Sequence, residues 1–262
     1  MKYRLVSRFE GAIWGAVLGE TLGAIAPGSR RVRSHTLLYL APDLRGASAP
    51  LPLNANLQEN ARRLLNLGDW VPSQNQPPAD LENPAALVLA TLPLTLFCYD
   101  QADQLQRHLS QTAIQWQVPS HVQGGWHKLS HAIALLLKEQ LPDQSFVEAL
   151  KAENSQPAWL ALHYFLQTPT DLAIALRRAA MSEAPPLLCP LIGVLAGAWN
   201  SLAGIPLSWA MGLQASSSES AALQSEIRTL AEQLFCAWAG VAKGGQDDVT
   251  LAVTAPNGIR PR

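Results

Sequence analysis

Few side chains in this 262-residue chain stand at spacings that chemistry requires. His127 and His131 are four apart, so on a helix both imidazoles share one face at metal-ligand spacing. A zinc hydrolase would carry a glutamate beside the first histidine, where this chain has Lys128, and no third ligand accompanies the pair. Surface or half-buried histidines are the expectation. Asp247 and Asp248 form a carboxylate pair ahead of an apolar run, and carboxylates suit magnesium or manganese. Glu20 is the one acid within an apolar segment, either a snorkelling or ion-paired glutamate or a site residue. No G-x-S-x-G elbow, Walker loop or dinucleotide fingerprint occurs.

The segment that carries Glu20 has four glycines spaced four apart: Gly11, Gly15, Gly19 and Gly23. That spacing puts a stripe of bare backbone on one helix face. Each helical glycine costs ~1 kcal/mol relative to alanine, so four imply that another backbone or a ligand approaches closely. "PLIGVLAGAWNSLAGIPLSW" repeats the spacing with Gly193, Gly197 and Ser201. Two central helices packed backbone to backbone are expected. Because these glycines lie inside a helix rather than after a strand, they cannot cradle phosphate.

Helical periodicity dominates the rest. "LQENARRLLNLGDW" is a helix stopped at Gly68, and Val71–Pro84, with four prolines, is an exposed loop. "AALVLATLPLTLFCYD" is a buried helix in which Pro93 forces a kink or restart. "DQADQLQRHLSQTAIQWQ" is amphipathic, with Leu105, Leu109, Thr112 and Trp116 near one face. "GWHKLSHAIALLLKEQL", "DQSFVEALKAEN", "PAWLALHYFLQ", "PTDLAIALRRAAM" and a long final helix from "SSSESAALQ" onward complete the set. "DDVTLAV" is strand-like, and "SHTLLYLAP", within Pro27–Pro52, is ambiguous. The expected fold is all-α, a single domain over residues 1–250 with an extended tail at 251–262.

Composition narrows the function classes. Hydrophobic residues make up 48% and charged residues only 15%, enough for a large core. A net charge of −1 offers no basic excess for nucleic acid. The apolar stretch from Ile13 to Pro27 is interrupted by Glu20 and too short to span a bilayer, so no membrane partner is expected. Cys98, Cys189 and Cys236 lack C-x-x-C spacing and suit buried reduced thiols in a cytoplasmic protein.

"GGQDDVTLAV" resembles the closing metal-binding strand of metal-dependent serine/threonine phosphatases. That fold is a β-sandwich with further acidic motifs, and the helical body here argues for a chance match at a turn. A resemblance covering nearly the whole chain is to the ADP-ribosylglycohydrolases, which release ADP-ribose from modified side chains. Their opening pattern R-x-x-G-x-x-x-G-x-x-x-G-D-A-L-G is similar to Arg8, Gly11, Gly15, Gly19, Glu20, Thr21, Leu22 and Gly23. Their later G-A-L-A-G-A and I-P-x-x-W patterns are matched by Gly193, Leu195, Ala196, Gly197 and Ala198, then Ile205, Pro206 and Trp209. "ENPAALVLATLPLTL" and "AIQWQVPSH" resemble two intervening segments. The resemblance implies an orthogonal all-α bundle.

The departures fall on the chemistry. Family members hold two magnesium or manganese ions with aspartates of a T-D-D-T and a D-T-D-T segment. Here those positions are Leu53, Asn54, Ala55 and Asn56, and Ala184, Pro185, Pro186 and Leu187. Trp116 and Val118 replace histidines, Val88 or Ala90 an arginine, and Glu20 an aspartate, while Pro27 stands near the next acid. With the carboxylates gone, nothing offsets desolvation of two dications, so no cofactor is expected. The resemblance therefore implies a pseudoenzyme, binding a protein partner or a nucleotide-like small molecule through a remnant cleft around Glu20, Asn54, Asn56 and Asn83. Two alternatives stand beside it. One is an active hydrolase of ADP-ribosyl or related bonds, its metal site rebuilt from Glu20, Asp80, Glu82 and the Asp247–Asp248 pair. The other is a structural subunit of a larger assembly.

Overall fold

The elements of a computed structural model, which describes residues 4–25, 53–152, 156–206, 209 and 218–241, are all helical. In chain order they are α1 (Leu5–Ile25), α2 (Ala55–Leu67), α3 (Pro84–Phe97), α4 (Ala102–Trp116), α5 (Ser120–Leu137), α6 (Gln144–Ala152) and α7 (Gln156–Gln167). Then come α8 (Leu172–Ala180), α9 (Pro185–Asn200), a 3-10 turn at Leu202–Gly204 and α10 (Ser218–Ala239). None of the described helices is long and apolar enough to cross a membrane. The fold is thus all-α. The ambiguous "SHTLLYLAP", the strand-like "DDVTLAV" and the 251–262 tail lie outside the described residues.

The glycine stripes meet as their spacing requires. A Cβ placed on Gly11 would fall 2.5 Å from the Gly197 carbonyl oxygen, and one on Gly15 would overlap the Gly193 carbonyl. Gly19 presses on Cys189, and Gly23 on Pro185 and Pro186. Each advance of four residues along α1 matches a retreat of four along α9, so the helices run antiparallel in a fixed register. α9 is buried all round from Leu188 to Ala198 and also packs on α3, α5, α7 and α8. A helix apolar on every side belongs at the centre of a domain. α10 covers another side of α1.

Local chemistry sets the helix ends. Gly68 closes α2 at φ 72°, a left-handed position that favours glycine. Asn54, Asn83 and Asp171 cap α2, α3 and α8 through side-chain oxygens. Pro93 neither ends nor restarts α3, which is continuous from Pro84 to Phe97 and buried from Leu87 onward. Burial on every side outweighs the lost hydrogen bond. α5 begins at Ser120, five residues before the expected Gly125, which is buried in its second turn.

The loop from Val71 to Pro84 is not simply exposed. Asn60, itself fully buried, accepts from the Gln76 N–H at 2.7 Å and donates to the Gln76 and Ala90 carbonyls at 3.0 and 2.9 Å. One side chain thereby ties the loop to α3 and buries Asn75 and Pro78. Trp70 and Trp116 close over it with ring centroids 6.4 Å apart. All three cysteines are free: Cys98 and Cys189 are buried and Cys236 only half-buried. Burial pushes the Cys189 thiol up to about 12.

Arg8 joins distant parts of the chain. Its guanidinium donates to the carbonyls of Leu136 and Leu137 at 3.1 and 3.3 Å, where α5 ends, and pairs with Glu139 at 3.1 Å. A cation at a helix C-terminus meets unsatisfied carbonyls and the negative end of the helix dipole.

Candidate functional site

Glu20 lies in the last two turns of α1, between Gly19 and Gly23, which hold that end of the helix against the first two turns of α9. Asn54 arrives from the start of α2. Its side-chain oxygen accepts from the N–H groups of Asn56 and Leu57 at 3.1 and 3.2 Å, and its Nδ2 donates to Glu20 Oε1 at 2.8 Å. One amide therefore caps a helix and holds the carboxylate.

Burial raises the Glu20 pKa above the usual carboxylate value, and the Asn54 hydrogen bond opposes the rise. An acid that binds its proton more tightly when folded contributes most stability below its unfolded value of 4.5, and that contribution is lost as pH climbs through the folded pKa. At neutral pH the charged carboxylate is thus a net cost. Glu20→Gln keeps an acceptor for Asn54 without the charge, so it should melt higher than the wild type at pH 7.5. The gap should close near pH 4. Thermal midpoints of both proteins at the two pH values check this, and a gap that widens on acidification would contradict it.

The other sequence-derived positions are occupied differently. Asn56 sits in the first turn of α2, its N–H engaged by Asn54. Asn83 accepts from the N–H groups of Ala85 and Ala86 as the cap of α3, and no hydrogen bond joins it to Glu20. Ala184, Pro185, Pro186 and Leu187 form the start of α9. The two prolines carry no N–H, and the amides of Leu187 and Leu188 both bond the Ala184 carbonyl at 3.1 Å. This helix start therefore offers neither carboxylates to a cation nor open donors to an anion.

Trp116 is buried beside Trp70 and donates to the Pro72 carbonyl at 3.3 Å. Val118, Val88 and Ala90 are core residues. Asp80 caps its own turn by accepting from the Glu82 N–H at 3.0 Å, and both side chains are exposed. His127 and His131 turn to different neighbours: Gln106 of α4 lies 3.4 Å from His127 Nδ1, and His131 stacks on Phe146 of α6. Asp247 and Asp248 lie outside the described residues. Among the described residues no three of His, Cys, Asp and Glu come together as a metal cage.

Shallow hollows indent the described surface. One of about 400 Å³ is bounded by Arg63, Asn66, Leu67 and Gln74. Another, about 500 Å³, is bounded by Glu10, Leu202, Gln224, Ser225 and Arg228. Neither is lined by Glu20, Asn54 or Pro186. The Glu20–Asn54 bond escaped sequence reasoning, although asparagine just before an amphipathic run signals an N-cap and so fixes where its amide points. No protein-family model matches the chain, and no curated protein matches it in sequence.

Proposed function

We propose that this chain is a catalytically silent relative of the ADP-ribosylglycohydrolases, acting as a binding or regulatory protein. One observation carries the reading. Glu20, on the glycine helix α1, is held by the amide of Asn54, and the helix start on which Gly23 packs is made of Ala184, Pro185, Pro186 and Leu187. Two dications need several anionic oxygens at fixed separations, and the donors at these positions are one carboxylate and neutral amides. The described residues do not fit a two-metal centre.

The retained glycine register supports the family half of the proposal, because a four-rung backbone contact is costly to keep unless the packing depends on it. Titration calorimetry with manganese chloride, run beside an assay for ADP-ribose release from ADP-ribosylated arginine and serine peptides, tests the silent half. No saturable two-site uptake and no release above the protein-free blank are expected. Uptake of two metal ions per chain, with turnover lost in Glu20→Gln, would overturn it.

A further inference from the structure

Across α6, α7 and α8 a run of cationic and aromatic side chains makes unbroken contact. Lys151 Nζ lies 5.6 Å from the centroid of the Trp159 ring. Trp159 stacks on His163 with centroids 5.1 Å apart and planes 14° from parallel. His163 Nε2 is 2.8 Å from Gln167 Nε2, and Gln167 Oε1 accepts from Arg178 at 3.0 Å. Trp159, His163 and Gln167 are four residues apart along α7, so the strip follows one helix face, with a cation at each end.

Among the described residues neither Lys151, Arg177 nor Arg178 makes an ion pair. Of the nearby acids among the described residues, Glu148 accepts from Gln144, Asp171 caps α8, and Glu183 is on the surface. Arg178 is held in place by a neutral amide, which positions its remaining donors without consuming its charge.

We propose that this strip binds a nucleoside phosphate, the base stacking at the Trp159–His163 pair and the phosphate taken by Arg178 at the Gln167 end. A planar base adds a third layer to two parallel rings, and sequence-tolerant base–aromatic stacking needs no further partner. The ammonium of Lys151 rides on a flexible stem over the indole, so it can yield that ring to a base. The site shares no residue with the Glu20 region and stands independently of the function proposed above.

Titration of the full chain with AMP and with GMP, in buffer free of divalent ions, tests the site. Both should bind with Kd of about 0.1–1 mM, more weakly at physiological than at low ionic strength. Adenosine and inorganic phosphate, each half of the ligand, should bind at least about tenfold more weakly. Trp159→Ala should lose about tenfold and Trp159→Phe little. Arg178→Glu, at an exposed position that leaves folding intact, should abolish binding even if Trp159→Ala proves unstable. Glu20→Gln should leave affinity unchanged. The proposal is overturned by no binding of AMP, by phosphate binding as tightly as AMP, or by wild-type affinity in Arg178→Glu. It is equally overturned by loss of binding in Glu20→Gln, or by a single-stranded oligonucleotide outcompeting AMP a hundredfold.

Discussion

Gly15→Ala should destabilise the fold by about 3 kcal/mol or more, despite alanine's better helix propensity. The added methyl would overlap the Gly193 carbonyl, and the atom it meets is backbone in a buried helix, so no side chain can turn aside. α1 and α9 would have to separate along their whole contact, loosening the rungs at Gly11 and Gly19 as well. The intrinsic gain from replacing a helical glycine is only about 1 kcal/mol, and the clash wins. For a chain of this size the thermal midpoint should fall by about 10 °C. Gly23→Ala offers the contrast. Its Cβ would lie 3.0 Å from Pro186 Cα at the last rung of the contact, where small shifts relieve it, so the net change should stay within about 1 kcal/mol. Combining Gly15→Ala with Gly193→Ala should cost less than the sum, since helices already pushed apart have room for the second methyl. Urea unfolding of the wild type, the three single variants and the double variant checks all of this. A Gly15→Ala protein as stable as wild type would mean that the two backbones are not in contact.

Arg8→Met should rank second, at about 2–4 kcal/mol. Methionine fills similar volume but leaves the Leu137 carbonyl without a donor, and the Leu136 carbonyl with only the Glu139 N–H, at a buried helix end. Glu139 is the cheaper half of the pair. Its side chain is 36% exposed, so water screens the charge, and Glu139→Gln should cost less than about 1 kcal/mol. The asymmetry assigns the strength of the contact to the guanidinium and the end of α5 rather than to the ion pair. Arg8→Lys should fall between, because an ammonium cannot serve two carbonyls and a carboxylate in one plane. Equal losses for Arg8→Met and Glu139→Gln in urea unfolding would reverse that assignment.

The all-helical class, the stop at Gly68, the buried face of α4 and the docking of the two glycine helices were legible in residue order, because all depend on local spacing. Four glycines at four-residue steps can share only one face of a helix, and their cost in propensity demands a close partner. The Leu105, Leu109, Thr112 and Trp116 stripe was equally plain, and all four are buried. Less legible were features in which one long-range bond overrides local composition. A stretch with four prolines argues for an exposed loop, yet Asn60 fastens it to α3 by pairing with backbone sixteen and thirty residues away. The helix expected from Gly125 starts five residues earlier, at Ser120.

At the candidate site the division is sharper. Residue types alone determined that Ala184, Pro185, Pro186 and Leu187 bring no carboxylate, since no folding can supply an oxygen that a side chain lacks. Only the tertiary structure decided that Glu20 and Asn54, thirty-four residues apart, meet at 2.8 Å, whereas Asn83, equally promising in sequence, caps another helix. The same holds for Lys151, Trp159, His163 and Arg178, which no motif connects and which three separate helices align. Chemistry that a residue cannot perform is written in its type. The directions in which polar groups point depend on how helices pack, and that is set by contacts between residues far apart in the chain.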